Sequence, residues 1–284
     1  MALQPEIFAL VLAAALAHAA WNAMVKSSGE RGATFAVMLL TGGVVSIAGV
    51  VVLPLPAAES WIYLLLSVLV HYGYYGFLLL AYRHGDLSHV YPLARGAAPL
   101  MVAAGAWAMA GEALAPAGTA GLVLASAGIM SLAFERGMPR GHAGKPVFYA
   151  LGTGTFIAAY TVIDGIGVRA AQGPLGYILW LNVLEAVPMT LWLLLRRPAH
   201  IVGQSRRSLR AGVLGGLLAS TAYGLVIYAL SRGGMANVSA LRETSVLFAA
   251  LIGTVVLKEA SGNAGRRIAA AGLVALGVVA LQLG

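Results

Sequence analysis

Cysteine is absent from this 284-residue chain, which excludes disulfides and thiolate metal sites. Charge is scarce: Asp, Glu, Lys and Arg make up 10% of the residues, against 60% hydrophobic ones and a mean hydropathy of +0.86. Such a composition excludes an ordinary soluble domain. The chain also lacks an HExxH metal motif, a GxSxG nucleophile elbow and any nucleotide-binding motif, so the signatures of zinc proteases, serine hydrolases and ATP-driven pumps are missing. His84 and His89 form the one close histidine pair; with Asp86 they fall in a loop beside the membrane, too small a set to read as a metal site. No catalytic residue, metal or cofactor is expected, and any work the protein does is expected to draw on a proton or solute gradient rather than on ATP.

What fills the chain instead is ten apolar stretches, near 5–25, 33–53, 59–82, 88–110, 116–134, 146–168, 174–195, 209–232, 237–258 and 264–283. Each is about twenty residues, the length that crosses a bilayer as a helix, and too long for a barrel strand of roughly ten. No water satisfies backbone groups in lipid, so the spans must be helical. The fold class is therefore an all-α membrane protein with ten transmembrane helices. Gly42 with Ser46, and Gly212 with Gly216, form small-xxx-small pairs that suit close helix packing. Ala17-His18-Ala19 has the form of a signal-peptidase site, but no basic residue precedes it and Glu6 sits where one belongs, so the first span is expected to be retained.

The net charge of +8 is a topology signal rather than a nucleic-acid footprint. Of the 18 basic residues, 14 lie on one side: Lys26, Arg31, Arg83, Arg136, Arg140, Lys145, Arg196, Arg197, Arg206, Arg207, Arg210, Lys258, Arg266 and Arg267. Only Arg169 and Arg232 lie on the other, and Arg95 and Arg242 fall inside spans. By the positive-inside rule the odd-numbered loops are cytoplasmic and both termini lie outside, with the protein in the cell inner membrane.

The second five spans resemble the first five. At an offset of 148 residues, Tyr75-Gly76 falls on Tyr223-Gly224, Ala81 on Ala229, Gly85 on Gly233, Val90 on Val238, Leu93 on Leu241 and Gly105 on Gly253. At an offset of 139, Ala19-Ala20-Trp21 falls on Ala158-Ala159-Tyr160. Two copies of an odd number of spans run in opposite directions, so residues 1–137 and 138–284 are expected to be inverted five-helix repeats of one membrane domain. In that architecture the substrate site lies near the midplane, between the halves.

These residues carry a family resemblance. The 5+5 arrangement, an aromatic in the middle of spans 1 and 6 (Trp21, Tyr160), and Gly111-Glu112 and Lys258-Glu259 after spans 4 and 9 are similar to the drug/metabolite transporter superfamily, EamA type. The resemblance implies an exporter or exchanger of amino acids or other small metabolites. His18-Ala19-Ala20-Trp21-Asn22-Ala23 and Tyr91-Pro92-Leu93-Ala94-Arg95-Gly96 also resemble a branch associated with phosphonate-utilisation operons. Many members of that family concentrate basic residues after span 2 and keep their termini in the cytoplasm, whereas here that loop has none. The resemblance also implies that spans 1, 3, 4, 6 and 8 line the cavity and that span 7 is peripheral.

A charge at a helix centre costs about 2.5–3.5 kcal/mol on insertion scales, which makes such residues functional candidates. Arg95 and Glu243 occupy equivalent repeat positions with opposite charge. Two readings stand: Arg95 binds a substrate carboxylate while Glu243 takes an ammonium group or a proton, or the two, or Arg242 with Glu243, form a buried ion pair. Trp21, Asn22, His71, Tyr75, Tyr91, Tyr160 and Tyr223 are the further substrate-binding candidates, with Tyr72 as another wall residue. Trp61 and Tyr63 read as interface-belt residues. Glu243, Asp164, Glu185 and His18 are the proton-coupling candidates, with Asp164 alternatively an interfacial carboxylate paired with Arg169. Pro92 and Pro99 in span 4 and Pro188 in span 7 are expected to kink their helices. The function expected is secondary transport of amino acids or similar metabolites by alternating access, as monomer or homodimer; organic anions such as phosphonates, or a lipid flippase, are the alternatives.

Overall fold

A computed structural model describes residues 2–28, 30–134, 144–196, 205–255 and 264–284. Arg136, Arg140, Arg197, Lys258-Glu259 and the boundary between the two expected repeats lie outside the described residues. Among the described residues eleven α-helices build ten spans long and apolar enough to cross a membrane: α1 (Pro5–Ser27), α2 (Arg31–Val52), α3 (Trp61–His84), α4 (Leu87–Ala110), α5 (Pro116–Ser131), α6 (Gly144–Ala170), α7 (Pro174–Arg196), α8 (Arg206–Leu230), α9 (Met235–Arg242), α10 (Ser245–Val255) and α11 (Ala264–Leu283). No strand occurs among the described residues. Leu195, 80% exposed, and Leu283, 82% exposed, typify a rim whose apolar side chains suit lipid rather than water.

The ninth span is divided at a point that neither proline nor glycine marks. At Glu243 and Thr244 the backbone tightens into bonds three residues apart: Glu243 N donates to Ala240 O (3.2 Å), Thr244 N to Leu241 O (3.1 Å), Val246 N to Glu243 O (3.0 Å) and Leu247 N to Thr244 O (2.9 Å). Such a stretch inside a span separates α9 from α10 without proline. Conversely, α4 runs unbroken through Pro92 and Pro99. Spans 4 and 9 thus differ, and the interruption falls in the span that lacks proline.

Small residues set the closest helix contacts. A Cβ at Gly216 would stand 2.7 Å from Met38 O on α2, and one at Gly42 would stand 2.6 Å from Ser220 Oγ on α8. The tightest crossing joins α5 to α11, where a Cβ at Gly121 would meet Gly277 O at 2.5 Å and Leu281 N at 2.6 Å. Helix neighbours keep their pattern when the first five spans are exchanged for the second five: α3 on α6 becomes α8 on α1, α4 on α6 becomes α9 and α10 on α1, and α2 on α7 and α5 on α11 map onto themselves. The pattern is consistent with an inverted repeat. Leu3 N donates to Gln282 Oε1 (3.0 Å) and Gln282 Nε2 to Leu3 O (2.8 Å), so the two ends of the chain meet on one side of the bundle.

That side is sealed. Leu3, Ile7, Leu64, Ala106, Val168, Tyr177, Leu230, Met235 and Val238 belong to one buried apolar cluster. Trp61 packs on Trp180 with ring centroids 5.1 Å apart. Over the cluster lies a polar brace. Arg169 Nη1 binds Glu112 Oε1 (2.5 Å), Arg169 Nε donates to Leu230 O (3.0 Å), and Arg169 Nη2 donates to Gly233 O (2.8 Å). Glu112 Oε2 accepts from Met235 N (2.7 Å), at the start of α9.

Candidate functional site

The other half of the bundle holds a cavity of about 410 Å³. Its walls come from the last turns of α1 and α3, the first turns of α2 and α4, and the middles of α6, α7 and α8. These segments all lie toward the α1–α2, α3–α4 and α7–α8 connections, opposite the sealed side. His18, Trp21, Asn22, His71, Tyr75, Tyr91, Arg95, Tyr160, Glu185 and Tyr223 line it. Asp164 and Glu243 do not face the cavity; each stands behind a side chain that does.

Two charged groups face the cavity from different walls. On α4, Arg95 Nε lies 2.6 Å from Glu243 Oε2, and Arg95 Nη2 donates to Ser245 Oγ (3.0 Å) at the start of α10. Its guanidinium sits 5.8 Å from the Tyr91 ring centroid. Arg242 Nη2 lies 3.5 Å from the other oxygen of Glu243. Glu243 is completely buried between them, so in this conformation the ion-pair reading describes it, while Arg95 keeps a face on the cavity. Two arginines against one glutamate leave this pole net positive.

The second pole is a chain of polar groups. His71 Nδ1 lies 2.9 Å from Glu185 Oε1 and 2.9 Å from Ser67 O. His71 Nε2 meets the Tyr223 hydroxyl at 3.3 Å, Tyr223 donates to Asp164 Oδ2 (2.5 Å), and Tyr177 donates to Asp164 Oδ1 (3.0 Å). The His71 ring stacks on Tyr160 at 4.0 Å with 18° between planes. Two carboxylates and one histidine leave this pole net negative whenever both carboxylates are ionised.

Three expectations are corrected here. Asp164 is not an interfacial partner of Arg169: it is completely buried against two tyrosines, and Arg169 binds Glu112 instead. Five residues turn about 140° around a helix, so the two side chains leave α6 on different faces. Nor is α7 peripheral, because Glu185, Asn182 and Ala186 face the cavity. Tyr72 stands outside the wall and donates to Glu185 O (3.2 Å). His84 and His89 have separate Nδ1 contacts, to Leu80 O (2.8 Å) and Ala133 O (3.0 Å), and no metal cluster occurs among the described residues. Asn22 spends an amide hydrogen on His18 O (2.7 Å).

Sequence reasoning missed Phe35, Met38 and Leu39 on α2, Tyr74, Leu78 and Tyr82 on α3, and Ser220 on α8. The α3 set was legible in principle, since His71, Tyr74, Tyr75, Leu78 and Tyr82 follow helical three- and four-residue spacing. The α2 residues carry no signal, because a cavity wall of Phe, Met and Leu reads as packing.

A ten-span helical bundle with a charged, aromatic cavity in one half defines a multi-pass membrane protein. Residues 144–282 match the model of the EamA-like transporter family, within the superfamily that the motifs resemble. One solved crystal structure, whose description names no function, shares the fold over 99% of this chain and 97% of its own, with a TM-score of 0.80 at 19% identity. No curated protein matches the sequence.

Proposed function

We propose that this protein is a secondary transporter that exports or exchanges amino acids or similar small zwitterions across the cell inner membrane by alternating access. The observation that carries this reading is the bipolar cavity: Arg95 offers a guanidinium from α4 and Glu185 a carboxylate from α7, with Tyr75, Tyr91 and Tyr160 on the walls. Arg95 binds the substrate carboxylate, and Glu185, rather than the occluded Glu243, receives the ammonium group. With the odd-numbered loops cytoplasmic, the cavity faces the cytoplasm, and the Glu112–Arg169 brace closes the far side. Residues 1–137 and 138–284 act as the two halves that rock about the site.

The excess positive charge of the Arg95, Arg242 and Glu243 group supports one alternative, a carboxylate or phosphonate without an ammonium group. Counterflow of a panel of labelled amino acids in liposomes tests both. Saturable flux is expected, with Arg95→Gln and Glu185→Gln each lowering apparent affinity at least tenfold, since a lost partner of a buried charged contact costs roughly 2–5 kcal/mol. Flux of alkylphosphonates with none of amino acids, lost in Arg95→Gln and kept in Glu185→Gln, rejects the zwitterion in favour of the anion.

A further inference from the structure

His71 was read from the sequence as a wall residue, yet its surroundings suit a different task. Nδ1 faces two oxygens at 2.9 Å, one of which, Ser67 O, is a carbonyl that only accepts. Nδ1 therefore carries a hydrogen, and Nε2 is the nitrogen that gains and loses a proton. Nε2 faces Tyr223, whose own hydroxyl hydrogen is committed to Asp164 Oδ2 at 2.5 Å, which leaves the Tyr223 oxygen free to accept from Nε2–H. Tyr177 fixes the other Asp164 oxygen. The groups facing the ring are thus Asp164 and Tyr160 on α6, Glu185 on α7 and Tyr223 on α8, with Tyr74 and Tyr75 on its own helix and Arg95 and His18 across the cavity.

Doubly protonated, the ring neutralises Glu185. Singly protonated, it leaves Glu185 as a carboxylate at the cavity wall, where the buried Oε1 has no hydrogen-bond donor among the described residues beyond this ring. An anion so placed is costly until a cation returns to it. We propose that His71 carries a coupling proton, and that this proton and a cationic group of the substrate compete for Glu185. The inference rests on the zwitterion reading for the substrate's positive charge. When the ammonium group enters, the Nε2–H bond breaks, its electron pair stays on nitrogen, and the proton passes to water in the cavity, which both His71 and Tyr223 line. One cation replaces another and nothing is oxidised or reduced. Tyr223 and Asp164 act as positioning residues that hold Nε2 toward an acceptor.

Nitrogen NMR of histidine-labelled protein in nanodiscs reads the protonation of the ring directly, with the His71 signal assigned by its loss in His71→Gln. The probe is benzylammonium, a cation without a carboxylate, so Arg95 takes no part. In the wild type, benzylammonium is expected to lower the protonated fraction of His71 between about pH 5 and pH 8, and its apparent affinity to rise by up to about tenfold per pH unit across the titration. Glu185→Gln is expected to lower that fraction without the probe and to abolish the response to it; Tyr223→Phe is expected to shift the titration while keeping the response. A ring whose protonation ignores benzylammonium, or responds equally in Glu185→Gln, overturns the competition. Competition retained while no amino acid is carried rejects the zwitterion alone; amino-acid flux retained while competition is lost rejects the role of His71 alone.

Discussion

Replacing either partner of the Arg95–Glu243 pair removes the same contact, yet the two substitutions leave different charges behind. In the native group two arginines face one glutamate, at 2.6 Å and 3.5 Å, all three side chains being less than a tenth exposed. Arg95→Gln leaves Arg242 with Glu243, a balanced pair. Glu243→Gln leaves two cations and no anion, in a place with almost no solvent. Removing one member of a buried ion pair costs about 3–5 kcal/mol because the survivor stays buried and unpaired; that cost applies in full to Glu243→Gln and only in part to Arg95→Gln, where Arg242 remains. At about 2–4 °C per kcal/mol for a chain of roughly this size, Glu243→Gln is expected to lower the melting temperature by on the order of 10 °C. Arg95→Gln is expected to lower it by about half of that or less. Thermal unfolding of purified protein in detergent, followed by light scattering, measures both, and counterflow on the same samples separates stability from binding. Arg95→Gln melting as low as Glu243→Gln refutes the charge argument. Arg95→Gln that stays folded and carries substrate at full rate leaves the pair with a structural role only.

The absence of native cysteine allows single-site labelling. With cysteine in place of Ala171, buried beside the brace, Glu112→Gln is expected to speed reaction with an impermeant maleimide roughly fivefold, since a pair about a quarter to a third exposed contributes on the order of 1 kcal/mol. Gly121→Ala puts a methyl group against the backbone of α11 and is expected to cost about 1–3 kcal/mol, seen as lower thermal stability. Gly76→Ala, with nothing within 4 Å, is expected to gain a few tenths of a kcal/mol or more on the same assay. Outside the spans, hydrogen bonds from Ser208 and then Ser205 hold the Glu30 carboxyl below its ordinary range. A depressed carboxyl stabilises above the ordinary range and loses that contribution as pH falls through its lowered value, so acid is expected to loosen the start of α8. Hydrogen exchange of that turn against pH measures this, and Glu30→Gln is expected to flatten the dependence.

The spans were legible because lipid leaves the backbone no alternative to helix, so length and hydropathy decide the matter. The Arg95–Glu243 contact was legible for a different reason: a weak repeat placed the two residues at matching positions. The partners of Asp164 were not legible. Its near neighbour in sequence, Arg169, offered a local explanation, and only the packing of α7 and α8 on α6 shows that the carboxylate turns toward Tyr177 and Tyr223. The interruption of span 9 carries no signal at all, because neither glycine nor proline marks Glu243-Thr244. It is set by tertiary bonds, among them the Arg95 contacts that engage Glu243 and Ser245 on either side of it.

That interruption gives α9 its significance. The helix is only eight residues, about 12 Å long, and every one of them is buried. Its first residue, Met235, is held through its backbone N–H by Glu112, and so by Arg169, at the sealed end. Its last residue, Arg242, shares Glu243 with Arg95. One short rigid rod therefore touches both the brace that closes the bundle and the arginine that faces the cavity. On the proposed binding mode, a substrate carboxylate that draws Arg95 toward the cavity is expected to weaken the hold on Glu243 and so to change the forces on the far end of α9, where Glu112 is bound. Separate perturbations of the two ends are then not independent, which is why the labelling rate at position 171 is a readout for the cavity as well as for the brace.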